Sequence, residues 1–269
     1  MIWVITQAHS HSFLKGTPMS LILDNCYAAD ISAIEAVECP DGDGRWHPIS
    51  HGDARTLTLE AVERAGLTVT EERYALAGNK KQGNGDTRMF GELILKSNDM
   101  SMSDDFTMAL GIRNSIDKTI SYNLCGGSHV VVCGNMMMIG DFMTRRKHTT
   151  HIMAELPSMV DNALNTYCEG FRDHALEIEN WKNIELSQGD VDHVVLECWR
   201  AGAFSPNMIP KIMDQWNEPN HPEFKDRTVW SLFNAYSEAH KTRPGDPNRN
   251  ADASIITTNK FRELFAVAA

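Results

Sequence analysis

The sequence predicts an α+β fold: an antiparallel sheet of three to four strands covered by one long helix, with additional helices toward the carboxyl end. Three observations predict it. The runs LTVTEERYAL, RMFGELILKS and FTMALGIRNS follow one another between residues 67 and 115, separated by loops rich in Gly, Asn, Asp and Ser. Consecutive strands joined by short polar loops favour antiparallel pairing with one face left for a helix. That helix is PSMVDNALNTYCEGFRDHALEIENW, in which Met159, Val160, Ala163, Leu164, Tyr167, Phe171 and Ile178 form an apolar stripe at helical spacing. Finally, a chain of 269 residues that is 42% hydrophobic and 23% charged is globular, able to bury roughly 75% of the surface its unfolded form exposes. A single domain over residues 1–269 is expected, with its core at about 46–183 and a helical elaboration at about 184–269.

Taken in order, Ile2 to Ile5 reads as a short strand, and AHSHSFLKGTPMS places His9 and His11 on one side of an extended backbone. With no third ligand nearby, a solvated loop is the simpler reading of that pair than a metal site. ISAIEAVE suits helix or strand, and CPDGDGRW is a tight turn through Pro40, Gly42 and Gly44. Its DGDG resembles part of a calcium loop but lacks the terminal acidic ligand such a loop requires. Ser50 caps a helix, HGDARTLTLEAVERAG, with Leu57, Ala61, Val62 and Ala65 on one face, Asp53 at its positive start and Gly66 as its stop. GNKKQGNGD is a hairpin connection. Pro157 suits the first turn of the long helix, where its missing N–H costs nothing. LSQGDVDHVVLECWRAGAF reads as a short helix or strand with turns, while MIPKIMDQWNE and RTVWSLFNAYSEAHK are helical. PGDPNRNADAS is a polar surface loop, and NKFRELFAV a final amphipathic turn or two.

Twenty-five basic against thirty-six acidic side chains leave a net charge of −11, which repels nucleic acid unless the cations gather on one face. The six cysteines, Cys26, Cys39, Cys125, Cys133, Cys168 and Cys198, contain no close CxxC pair. Nothing at the amino terminus resembles a secretory signal, so a reduced, cytoplasmic protein is expected. No apolar run approaches the roughly 18 residues of a membrane span. No complete catalytic or cofactor motif occurs, so no cofactor is predicted and a binding role is favoured over an enzymatic one.

The chemistry concentrates between Phe106 and His151. The turn GIRNS, followed by Asp117 and Lys118, can hold a phosphate through Arg113 and Lys118 with Asn114 and Ser115 donating hydrogen bonds. It can equally be a structural turn in which Asn114 takes a positive φ and Asp117 caps the next segment. Arg145, Arg146, Lys147 and His148 lead into the long helix, where the dipole adds to anion attraction. A zinc site from Cys125, His129 and Cys133 fails if they lie on one strand, because four-residue steps separate the ligands by about 13 Å.

LGIRNSIDKT followed by VVVCGNMMMIGDFMTRRKHT resembles the signature of the domain of unknown function 932 family, found in phage, prophage and plasmid proteins. The residues carrying the resemblance are Gly111, Arg113, Asn114, Ser115, Asp117, Lys118, Cys133, Asn135, Gly140, Phe142, Lys147, His148 and Thr149. PISHGD and TVWSLFNAYSEAHK are similar to family features as well, so the resemblance spans roughly residues 46 to 242. It implies a protein of a mobile element in the cytoplasm of a bacterial host cell, without implying an activity. The order helix, antiparallel strands, long helix is also similar in topology to double-stranded-RNA-binding-type domains and single-strand annealing recombinases.

Together these give the leading expectation: a phage or mobile-element protein that binds or anneals single-stranded DNA in replication or recombination. Arg113, Lys118, Arg145, Arg146 and Lys147 would hold phosphates with Asn114, Ser115 and His148 beside them, and Phe142 would stack a base. One alternative is an anti-defence protein that mimics DNA or occupies a host defence protein. Another is a metal-dependent hydrolase or nuclease using His9, His11, His148 and His151 with a carboxylate. Homo-oligomerisation is compatible with each.

Overall fold

The computed structural model describes residues 26–79, 84–97, 106–130, 135–241 and 247–266. Ile2 to Ile5, His9, His11 and Cys133 lie outside the described residues. The sheet has six strands, more than the three to four expected: β1 (Cys26–Ala29), β2 (Leu67–Asn79), β3 (Asn84–Ser97), β4 (Phe106–Ser115), β5 (Tyr122–Val130) and β6 (Asn135–Arg146). Each pairs antiparallel with the next in chain order. The extra strands escaped the sequence because β1 is four residues long and Gly126–Gly127 reads as a break. In fact both glycines lie inside β5, where an aromatic ring sits on the backbone.

Seven helices complete the described chain: α1 (Ile31–Glu35), α2 (His51–Arg64), α3 (Ile152–Lys182), α4 (Gln188–Arg200), α5 (Ile209–Asn217), α6 (Val229–Lys241) and α7 (Pro247–Leu264). Among the described residues no helix is long and apolar enough to cross a membrane. Helix α2 starts as its sequence dictates, with Ser50 Oγ accepting from Asp53 N at 2.9 Å, and ends at Gly66, whose φ of +72° only glycine adopts without strain.

Three boundaries differ from expectation. Helix α3 begins at Ile152, which places Pro157 inside it. Ile152 and Leu156 are buried on the same face as Val160, and that burial extends the helix backward past the proline. The bond Pro157 cannot make would go to the carbonyl of Met153, on a turn whose side chain is 51% exposed. The stretch 188–200 is one helix, closed at its start by a reciprocal capping box between Ser187 and Asp190. PNRNADAS, expected as a loop, forms the first turns of α7. Its weak helix formers are outweighed by packing further along, where Ala253, Thr257, Thr258 and Phe261 are buried.

One apolar core joins these parts. Leu76, Met89, Leu93, Met108, Leu110 and Leu124 on one face of the sheet pack with Ala61 and Val62 of α2 and with Val160, Leu164 and Phe171 of α3. Trp181 at the end of α3 lies 5.6 Å from the ring of Phe233 in α6 and 5.7 Å from Phe261 in α7, so the carboxyl-terminal helices share that core. On the opposite face of the sheet Ile94, Ala109 and Cys125 form a small cluster against Ile255 of α7.

Tyr167 couples α3 to the middle of the sheet. Its hydroxyl accepts from Ala109 N at 3.0 Å and contacts the carbonyls of Ala109 (3.2 Å) and Gly127 (2.5 Å), while its ring covers Gly126. A Cβ at position 126 would lie 2.6 Å from that ring. The ring cannot retreat without losing its hydrogen bonds. Gly126→Ala is therefore expected to cost about 1–3 kcal/mol, measured as a lower denaturant midpoint at unchanged slope.

Candidate nucleic-acid interface

Antiparallel order brings the two candidate stretches of the sequence to one end of the sheet. The start of β3, the end of β4, the start of β5 and the end of β6 meet there, with Arg113 opposite Asn123 and Asn123 opposite Arg145. Arg88 stands opposite Ser115, one step diagonally from Arg113. Because side chains alternate, Arg88, Arg113, Asn123 and Arg145 share the sheet face away from α2 and α3. Asn114, Tyr122 and Arg146 share the other.

The first face is basic. Arg145 is exposed and donates from Nε to Asn123 Oδ1 at 2.7 Å, while Asn123 Nδ2 donates to the carbonyl of Ser121 at 2.7 Å. Arg88 donates to the carbonyl of Gly78 at 2.9 Å. Arg113 is 6% exposed and lies beneath this surface. Farther along the same face Arg73 pairs with Glu92 at 3.2 Å. Glu92 is 1% exposed, and burial raises its pKa above the usual carboxylate range. Lys147 follows on the exposed lead-in to α3.

The second face holds a buried polar hub. Asn114 Nδ2 donates at 3.0 Å both to the carbonyl of Ile49 and to His51 Nδ1. His51 Nε2 donates to the carbonyl of Asp86 at 3.0 Å, which fixes the tautomer that leaves Nδ1 as acceptor. On the other side of Ile49, its N–H donates to His148 Nδ1 at 3.3 Å. Desolvation, with His51 beside it, pushes the His148 pKa down to about 4, so the ring is neutral at pH 7. Two side chains from the candidate stretches thus clamp the backbone just ahead of α2.

The turn after β4 is held from inside. Ser115 Oγ donates to the carbonyl of Ile120 at 2.7 Å and accepts from its N–H at 3.0 Å. Asp117 accepts from Thr87 Oγ1 at 2.6 Å and from Thr119 N at 3.0 Å, and these bonds hold its pKa below the ordinary carboxylate value despite partial burial. The positive φ expected at Asn114 falls instead on Lys118, at 67°. Lys118 Nζ lies 4.6 Å over the Trp46 ring and 3.3 Å from Asp43.

The expected site residues therefore separate by role. Arg145 and Lys147 are exposed; Lys118 and Arg146 are in ion pairs with Asp43 and Glu155. Asn114 and Ser115 are fully buried, and His148 nearly so; Ser115 braces the turn, while Asn114 and His148 clamp the backbone ahead of α2. Phe142 is 8% exposed, its ring edge-on to Tyr167 at 5.2 Å and seated over Gly170, so its faces are packed by protein. Sequence reasoning missed Arg88 and Asn123, which only strand register brings in, and His51, whose signal was the PISHGD segment. Among the described residues no group of three His, Cys, Asp or Glu side chains is placed to hold a metal ion. Cys125 and His129 stand four residues apart on one continuous strand.

The fold and site define an α+β protein with a meander sheet, a basic end and a buried polar clamp beneath it. The family model described as a domain of unknown function (DUF932) matches residues 44–259, and the chain belongs to that family. The match takes in the hub, the basic row and strands β2 to β6. No curated protein and no solved structure matches the chain.

Proposed function

We propose that this protein binds single-stranded nucleic acid along the basic end of its sheet, as a non-enzymatic step in the replication or recombination of a mobile element. The supporting observation is the gathering of cations from separate strands. Arg88, Arg113 and Arg145 share one face at one end, next to Lys147, in a chain whose net charge is −11. A local field of this kind attracts phosphates where the whole molecule repels them. Asn123 fixes the Arg145 guanidinium in advance, which reduces the ordering cost of a phosphate contact.

A salt titration of single-stranded DNA binding tests the proposal. Affinity is expected to fall with log salt at a slope of about −0.7 per phosphate contacted. Replacing Arg145, Arg146 and Lys147 together with alanine is expected to make that slope shallower by about 1 to 2. Absence of binding at low salt would sink the proposal, and a stoichiometric host protein recovered in its place would favour the anti-defence reading.

A further inference from the structure

Between the outer edge of β6 and α3 lies a cleft of about 270 Å³, lined by Phe142 and Thr144 of the strand and by Met159, Asn162, Ala163 and Thr166 of the helix. The helical residues succeed one another at steps of three and four and so form one wall. We infer that this cleft receives one unstacked nucleobase of a single strand whose phosphates lie on Arg145 and Lys147; the inference rests on the binding proposed above.

The lining gives the chemistry. It consists of an amide, hydroxyls, thioethers, a methyl group and an aromatic edge, with no charged side chain among them, so it suits a flat, neutral ring system with polar edges and not a phosphate. Asn162 is exposed and offers both a donor and an acceptor to a base edge. Thr166 lies a turn further along the same wall. Met159 supplies polarizable sulfur against a ring face, the contact that the packed faces of Phe142 cannot provide.

Position supplies the rest. Arg145 follows Thr144 directly but projects from the opposite face of this edge strand. Three residues of extended chain reach about 10 Å, so a single strand held on Arg145 and Lys147 crosses the outer edge of β6 to place a base in the cleft. The volume is below the roughly 300 Å³ at which sites for drug-sized molecules begin. A duplex does not enter such a space, and a base enters it only when unpaired and unstacked. Among the described residues β6 is also the last strand of the sheet, so the cleft is bounded there by a strand edge.

Binding of a fluorescent oligothymidine is to be compared with that of an oligomer of equal length made of abasic sugar-phosphates, both on the unmodified protein at low salt. The abasic strand is expected to bind about tenfold more weakly with the same salt slope. Asn162→Ala with Met159→Ala is expected to remove most of that difference while leaving the abasic affinity unchanged. Equal affinity for the two strands, with a normal salt slope, would overturn the cleft and leave backbone binding standing. If neither strand binds, the proposed function itself fails, and the cleft with it.

Discussion

Acidification from pH 7 to pH 4 is expected to remove most of the stability of this fold. His129 and His148 are buried, and desolvation lowers both to about 4, with Arg73 adding to the effect at His129 and His51 at His148. His51 and His174 are lowered as well, chiefly by burial. In the unfolded chain such groups titrate near 6.5, so the unfolded state takes up protons first. Their stabilising contribution is complete above about pH 6.5. It then falls by about 1.4 kcal/mol per group for each pH unit, until the folded-state groups protonate near pH 4.

For His129 and His148 together the loss is about 6 kcal/mol, comparable with the whole stability of many domains. Glu92, whose pKa burial raises, works in the opposite direction but is one group against four. Urea melts at pH 7, 5.5 and 4.5 measure the effect. His129→Leu should make the decline shallower by about 1.4 kcal/mol per pH unit. Stability that stays flat from pH 6.5 to 4.5 would show that these rings are hydrated in solution.

The second large effect is expected at Asn114. Asn114→Ala removes the donor to the Ile49 carbonyl and to His51, and leaves both groups buried without it. The cost is about 3 kcal/mol, since orphaned buried partners are penalised more than a hydrogen bond is worth. The melting temperature should fall by several degrees, while the salt slope for DNA binding by the folded protein stays unchanged. The reverse pattern, an altered slope at unaltered stability, would make Asn114 a direct contact and contradict the clamp.

How far the sequence could be read depends on where each signal resides. The helix capped by Ser50 and the strand Phe106–Ser115 were legible because their signals are local: a cap and an alternating run. Helix α7 was not, because its first turns carry poor helix formers and its stability comes from packing in the shared core. Gly126–Gly127 misled for a related reason, since glycine marks a turn in sequence and a close ring contact in space. At the site, the basic run was legible from residue types alone, but that Arg145 is the end of a strand and Lys147 follows it was not. That Asn114 faces inward depends on which face of β4 is covered, and that depends on a helix many residues away.

The meander order of the sheet bears on how the chain acquires its structure. Every strand pairs with its neighbour in sequence, so strands β2 to β6 can be assembled as successive hairpins, each needing only a short loop to close, while β1 joins across α1 and α2. Such local pairings form quickly, and they can begin before the carboxyl-terminal half has been synthesised. The contacts of Trp181 with Phe233 and Phe261, by contrast, must wait for the carboxyl-terminal helices. Folding of this protein should therefore end with the docking of the last two helices onto a sheet already in register.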